Sequence, residues 1–574
     1  MTFRAKYVKP VSCGGCVLET KGAGYAPRSG PQGARLTFIA EALGEEEVIR
    51  GEPLVGAAGG VHSRLLQRAG ILRESTGADN CVRCRPPQNW LVGAPWEHAA
   101  LDHCSQYLQA TLAAVPPDGV VVPLGATALK SVLNLQGVDG VAIKDFHGTV
   151  SRDPTDRYWV VPTFHPSHLQ RGAMNLLDVV TEDVKLAYRI SQTGFTRTPA
   201  TLVVDPTPDY FTAWVGARLS ELARDPAIAW LALDTEFAEK AGGADESEVL
   251  SWDTSSAITR VNLARAVSEG LTVPYQEPYI SELQRLFDGV NTHQGYVFAW
   301  NKYADLDHLW AQGHHLDNLL VLDLMWAWHY LQSDLPRGLG FLAPLASDFG
   351  PWKHWAKQPA REGDYAAADA LQTFRCAVWI VTALQKTHQW DIFIRDWHER
   401  DVYVLRPAHD LGVPVDRPTL EAFHDDLQRK QTEILGRIKA TSAAGVLKPK
   451  QGYKRRPKTD TPPVSIVGRA KGAAKQQYMV EEVRLVEQTV MLSTRCCRTC
   501  GAEGVGAKHK CKRADNPSGE PSVLFVQDRP RTVWFWQLPF NPDARAQLLS
   551  YLDAQGIAAP LDYRTGKATT SAKA

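Results

Sequence analysis

Two stretches of this chain, roughly residues 35–190 and 229–390, alternate short apolar runs with segments of helical spacing, and that alternation restricts both to sheets flanked by helices. In the first, residues 36–40, 119–124 and 158–162 read as strands and 61–69 and 126–133 as helices, which predicts one α/β domain with a parallel or mixed sheet. Residues 192–208 turn Thr/Pro-rich and lose their period, the mark of a linker. The second stretch has a strand at 230–237, an apolar run at 296–300 leading into a helix, and helical spacing through 321–331 and 365–384. Helical spacing returns over 395–440, broken by the turn Gly412-Val-Pro-Val-Asp416. A chain of 574 residues suggests three or four domains, and it contains no internal repeat.

Hydrophobic residues make up 44% and charged residues 22%, which excludes a disordered or collagen-like chain. Lys+Arg and Asp+Glu are equal at 63 each, so affinity for a polyanion must come from local clusters. One such cluster lies in a Pro/Gly-rich loop at 446–476: Lys448, Lys450, Lys454, Arg455, Arg456, Lys458, Arg469, Lys471 and Lys475 against Asp460. A loop of this kind is either simply solvated or contacts phosphates. No run of 18 apolar residues occurs, and the basic, glycine-rich start lacks an apolar signal core, so the expectation is a cytoplasmic protein without membrane contact.

The ten cysteines gather in clusters, which in a reducing compartment favours metal over disulfides. Cys13-Gly-Gly-Cys16, Cys84 and Cys104 can surround an iron-sulfur cluster or a zinc ion. Cys497-Arg-Thr-Cys500 with His509-Lys-Cys511 has the makings of a structural Zn²⁺ site at 496–511, Cys496 being able to replace its neighbour; the bland alternative is a thiol-rich loop.

A second constellation is acidic. In Leu231-Ala-Leu-Asp234-Thr-Glu236-Phe the two acids are two apart in a strand pattern and share a face. Asn301 and Asp305, and Tyr365 and Asp369, are each four apart on expected helices. Three elements thus offer four carboxylates and a phenol, the oxygen-rich set that two Mg²⁺ or Mn²⁺ ions need for phosphodiester hydrolysis.

Read in order, Ala40-Glu41-Ala-Leu43-Gly44, Gly51-Glu-Pro-Leu54-Val-Gly56, Asn80-Cys-Val-Arg-Cys84-Arg-Pro-Pro87, Leu124-Gly-Ala-Thr-Ala128 and His165-Pro-Ser167 resemble the iron-sulfur uracil-DNA glycosylases of family 4 over about residues 8–190. The resemblance implies a 4Fe-4S cluster on Cys13, Cys16, Cys84 and Cys104, with Cys81 an extra thiol. It also implies Asn80 reading the uracil edge, His165 facing the leaving base and Glu41 in the water-handling motif. The family usually has Gly-Glu-x-Pro-Gly where this chain has Ala40 to Gly44, and a stacking Phe where it has Leu54. An aliphatic side chain covers a base without an aromatic face, so the pocket would excise uracil or only detect it.

The acidic motifs, with Asp323-Leu-Met, are similar to the 3′-to-5′ proofreading exonuclease of family A DNA polymerases over about 200–390. That likeness implies Asp234, Glu236, Asp305 and Asp369 as metal ligands and Tyr365 as the residue positioning water. Arg400-Asp-Val-Tyr-Val-Leu405, Gly412 to Asp416, Phe540 to Leu548 and Thr565 to Thr570 resemble parts of the polymerase thumb, and no palm or finger motif follows. The whole order is similar to large bacteriophage family A polymerases cut off before the palm. The expected organisation is a glycosylase-like domain at 1–195, a linker at 196–208, a ribonuclease H-like exonuclease at 209–392 and a helical thumb-like region at 393–574. Implied partners are uracil-containing DNA, single-stranded 3′ ends and a separately encoded palm and fingers subunit, in a host cytoplasm if the source is a phage. The alternative is a non-catalytic DNA-binding clamp for such a polymerase.

Overall fold

Strand β1 (Leu36–Ala42) is buried on both sides and organises the first sheet. In the computed structural model of the protein, residues 5–227, 229–238, 256–314, 320–412, 414–440, 484–497 and 524–537 are described. β1 pairs in parallel with β2 (Gly77–Val82) and β3 (Val120–Pro123). β5 (Trp159–Val160) continues in parallel and β4 (Ser151–Arg152) closes the edge antiparallel, giving the order β2-β1-β3-β5-β4. After α1 (Glu45–Arg50), one face is covered by α2 (Ala57–Ala69) and α6 (Leu177–Thr193), the other by α3 (Glu97–Ala113) and α4 (Gly125–Val132); α5 (Pro166–Gln170) is one short turn. Alternation along β1 divides its side chains: Phe38 and Ala40 pack with Leu66, Ala187 and Ile190, while Ile39 packs with Leu108, Leu112 and Ala128.

The second sheet runs β11-β10-β7-β8-β9-β6. Its strands are β6 (Thr201–Val204), β7 (Leu231–Phe237), β8 (Ile258–Ala266), β9 (Glu269–Pro274), β10 (Tyr296–Ala299) and β11 (Leu320–Asp323). Leu231 and Leu233 of β7 pack with α7 (Pro208–Arg224) and α8 (Tyr279–His293), whereas Ala232 meets Ala370 and Phe374 on the opposite side. Helices α9 (Lys302–Ala311), α10 (Leu324–Leu331), α11 (Leu339–Ala346) and the long α12 (Glu362–Lys386) complete this part. Strand parity therefore turns Asp234 and Glu236 toward α12, which carries Tyr365 and Asp369.

Two expectations need correcting. Residues 321–331 are not one helix: β11 ends at Asp323, whose carboxylate accepts the Met325 and Trp326 amides at 3.0 and 3.4 Å and caps α10. Nor is 196–208 simply a linker, because β6 pairs with β9 from Thr201↔Glu269 to Val204↔Thr272. Beyond that strand, Leu65, Phe164 and Val180 of the first part share one apolar cluster with Phe341, Leu342 and Ile380 of the second. Met1–Leu411 consequently behave as one compact unit.

The second unit, Gly412–Ala574, contains the helix Arg417–Ala440 and a long antiparallel hairpin, β12 (Arg484–Cys497) with β13 (Leu524–Gln537), registered from Arg484↔Gln537 to Cys497↔Leu524. The expected helical character holds for Arg417–Ala440, and the hairpin adds two long strands beside it in sequence. Cys496 and Cys497 close β12; Cys500, His509 and Cys511, the basic loop at 446–476 and the segments 540–548 and 565–570 lie outside the described residues. Among the described residues no helix is long and apolar enough to cross a membrane.

Two candidate active sites

The first site forms at the carboxyl ends of β1, β2 and β3. Ala40 pairs with Asn80, so both present to the α2 face. Asn80 is buried at 1% exposure and its side-chain amide nitrogen has no hydrogen-bond partner. Glu41 follows on β1; burial raises its carboxyl above the ordinary value, and the Thr127 hydroxyl donates to it at 3.1 Å. His165 caps α5: its Nδ1 accepts the Ser167 amide at 3.1 Å. An N–H can only donate, so Nδ1 is the bare nitrogen and Nε2 carries the proton. Burial, with Arg171 nearby, pushes this imidazole down to about 4, leaving it neutral at physiological pH. Gly125 sits at φ 84° and a Cβ there would come within 3.2 Å of His165 Cβ, so glycine lets the β3 turn approach the histidine.

Leu43 does not line this pocket; it packs with Ala26 and Val48. Leu54 is buried against Phe38 and Ala40. Its left-handed backbone (φ 56°) is held by Glu47, which accepts its amide at 2.6 Å, and by Arg73, which donates to its carbonyl at 2.8 Å.

The four predicted thiols belong to one neighbourhood. Cys84 and Cys104 share an apolar cluster with Cys16, and Cys13 Sγ is 3.6 Å from the Tyr107 hydroxyl. Burial pushes Cys84 up to about 12 and Cys104 up to about 11, with the other thiols adding to the rise. The Leu18 amide points at Cys16 Sγ at 3.4 Å, the kind of donor that stabilises a ligated thiolate. Among the described residues no three of these sulfurs lie within 4.8 Å of one another. Thiolates around one zinc stand about 3.8 Å apart, given a bond of about 2.3 Å, so the spread suits a larger multi-iron cluster better. Cys81 is outside the set: burial holds it at about 12 and it packs with Leu108 and Val121 on the other face. The chain neighbours of Asn80 and Cys84, Asp79 and Arg83, are joined by a clamp that sequence reasoning missed. Arg83 donates to both Asp79 oxygens at 3.0 and 2.6 Å, and Thr111 donates to Asp79 at 2.6 Å.

In the second site Asp234, Glu236 and Asp369 each bring a carboxylate oxygen within 4.8 Å of the others, a group able to hold metal. Burial and the neighbouring charges raise Asp234 to about 7 and Glu236 to about 9. Three residues absent from the sequence reading hold the trio. Asn262 on β8 donates to Asp234 at 2.7 Å and Glu236 at 3.5 Å. The Trp352 indole donates to Asp369 at 2.5 Å, and Lys353 donates to it at 2.8 Å. Only the cross-strand alternation of β8 could have suggested Asn262; Lys353 opens the five-residue 3-10 helix Lys353–Lys357 and Trp352 caps it, a segment too short for a period to reveal. Tyr365 lies one turn before Asp369, and burial lifts its hydroxyl well above the usual range.

Asp305 departs from the predicted ligand set. Pairing of β7 with β10 stops at Ala232↔Phe298, which frees the next amides on that edge. Asp305 Oδ1 takes the Thr235 amide at 2.8 Å and its hydroxyl at 2.6 Å, and so lies beside the trio instead of within it. Asn301, with φ 65°, caps α9 one turn earlier.

The first sheet and its pocket define a base-excising class of protein: residues 27–185 match the uracil DNA glycosylase superfamily. Through this N-terminal region the chain belongs to the type-4 uracil-DNA glycosylases. It is 39% identical to that of Thermotoga maritima over 183 residues, 30% of this chain and 87% of the relative. It is 33% identical to that of Archaeoglobus fulgidus over 161 residues, 27% and 77% respectively. Among solved structures, the Aedes aegypti Nibbler EXO domain is similar at 17% identity and a TM-score of 0.23, covering 34% of this chain and 94% of its own. The RNase domain of yeast Pop2 gives 9% and 0.22, covering 33% and 91%.

Proposed function

We propose that the N-terminal domain excises uracil from DNA, and the observation that carries this reading is the partnerless Asn80 side-chain amide, buried within the region that matches the type-4 uracil-DNA glycosylases. An unpaired buried donor costs about 1–3 kcal/mol, a penalty relieved when a base carbonyl accepts it. The base must first leave the stack. As the C1′–N1 bond breaks, its electron pair moves onto the base, and the neutral Nε2–H of His165 donates to the base oxygen that gains charge. Glu41 orients the water whose oxygen bonds to C1′ and receives its proton; the departing base is protonated from solvent.

Cys13, Cys16, Cys84 and Cys104 would hold a 4Fe-4S cluster, which supplies a cross-link that fixes the end of β2 near Asn80. Replacing Cys84 with serine is expected to remove most bound iron and sulfide, measured chemically on purified protein; zinc at one equivalent in the wild type would contradict the cluster. Leu54→Phe adds bulk to a side chain that is 1% exposed in the core of the first sheet, so it should cost about 1–3 kcal/mol of stability, measured by thermal melting.

A second reading is favoured by the convergence of Asp234, Glu236 and Asp369: a 3′-to-5′ exonuclease on the second sheet. Two Mg²⁺ or Mn²⁺ ions, when bound, would stabilise the attacking and leaving oxygens. The trio would hold them, Asn262 keeps Asp234 and Glu236 aligned, Asp305 anchors β7 through Thr235, and Tyr365 orients the attacking water. Motif order supports placing both activities alongside DNA polymerisation, and cysteine spacing supports Zn²⁺ on Cys497, Cys500, His509 and Cys511. One experiment tests the catalytic pair: a 5′-labelled strand with one internal uracil, with and without Mg²⁺, one aliquot treated with alkali. Alkali-dependent breakage reports excision and metal-dependent shortening reports the nuclease. Absence of both would leave the non-catalytic clamp.

A further inference from the structure

The acidic site contains a cation whose task goes beyond holding a carboxylate. Lys353 Nζ lies 2.8 Å from Asp369 and 3.4 Å from the Tyr365 hydroxyl. It stands 5.2 Å from the Tyr365 ring centre and 5.6 Å from that of Trp352. Its stem is confined, since a Cβ at Gly340 would come within 2.9 Å of Lys353 Cγ. The side chain as a whole keeps 23% of its exposure, while its ammonium is held on the cluster by Asp369.

We propose that Lys353 is a catalytic residue of the exonuclease, donating to a nonbridging oxygen of the scissile phosphate; the proposal rests on the exonuclease reading. Charge supports it. With Asp305, which lies beside the trio and acts on Asp234 and Glu236, four carboxylates and one phosphodiester exceed two divalent ions by one negative charge, and attack by hydroxide adds another. One ammonium offsets part of that excess, and its stabilisation counts most where the added charge develops. An ion binding Asp369 would repel Lys353 from that carboxylate, and the confined stem keeps the head group within the site. In the step itself the water oxygen bonds to phosphorus and the P–O3′ bond breaks with its electron pair on O3′. Solvent takes the water's proton and supplies one to O3′, and Lys353 stays protonated throughout.

The test uses the full chain as wild type, Lys353→Gln and Lys353→Arg. Single-turnover shortening of a 5′-labelled single strand is measured in Mg²⁺, Mn²⁺ binding without DNA by calorimetry, and folding by thermal melting. The expected result is a rate lowered roughly 100-fold by glutamine and partly restored by arginine, with Mn²⁺ binding no weaker than in the wild type. A glutamine variant within about threefold of wild type would overturn the proposal. So would parallel loss of rate and Mn²⁺ affinity without arginine rescue, which would make Lys353 only a support for Asp369. If glutamine prevents folding, an arginine variant that folds, binds Mn²⁺ and still loses no rate would support the phosphate contact, and one that loses the full 100-fold would count against it. A wild type that neither binds Mn²⁺ nor shortens the strand would sink the exonuclease reading itself, and this proposal with it.

Discussion

Asp234→Ala is expected to reduce metal-dependent shortening of single-stranded 3′ ends by roughly a thousandfold while uracil excision by the same preparation is unchanged. Asp234 and Glu236 project from one face of β7 toward Asp369, so removing Asp234 leaves only two of the three oxygens that together can hold metal. Excision depends on residues of the other sheet, and a parallel loss of both activities would mean a folding defect. The same crowding gives a stability signature. Burial and like charge raise both acids in the folded state, to about 7 and about 9, so the folded chain holds protons that the unfolded chain has lost above about pH 4–5. Their contribution is therefore fully present below the unfolded values and is lost as pH rises through the folded ones. Without metal, the melting temperature should fall between about pH 5 and 9. Asp234→Asn should flatten that slope and melt roughly 1 °C higher at pH 8, for a gain of about 1 kcal/mol in a unit of this size. Added Mg²⁺ should stabilise the wild type most at the alkaline end, where the carboxylates are free of protons. Thermal melts at three pH values decide it.

Legibility in the sequence followed the range of each interaction. β1, β3 and β7 are short apolar runs buried on both faces, and periodicity locates such strands within a residue or two. β2 carries Asp79 and Asn80 in its middle because function and the Arg83 clamp require them, and that polarity hides a fully buried strand from any hydrophobic pattern. Asp234, Glu236, Tyr365 and Asp369 are visible because strand and helix spacing aligns each pair on its own element. Asn262, Trp352 and Lys353 reach the same point from remote elements through single hydrogen bonds, and no local period records them. Asp305 shows the reverse: its spacing from Asn301 is visible, but its partner was decided by where β10 stops pairing with β7. The hairpin β12–β13 pairs Met491 with Pro530, and a proline within one strand and the long intervening segment both argue locally against a strand that only the partner stabilises.

Asn80→Ala should cost uracil excision roughly a thousandfold and leave strand shortening intact, because the site loses the donor that tells one base from another. The substitution also relieves a buried amide that has no partner in the absence of a base, so the variant should melt no lower than the wild type. Loss of rate with unchanged or higher stability separates a reading residue from a structural one. His165→Ala should be equally slow for a different reason, and pH distinguishes the two. With His165 near 4 in the folded protein, the excising form is the neutral one, and the single-turnover rate should show no histidine titration between about pH 5.5 and 8. A rate that rose as pH fell through about 6.5 would mean that the imidazolium, not the Nε2–H of a neutral ring, faces the leaving base. That outcome would contradict the bond from the Ser167 amide to Nδ1, since a doubly protonated ring has no lone pair to accept it. The pH profile of the wild-type rate therefore tests the proton position on His165 as directly as it tests the reaction.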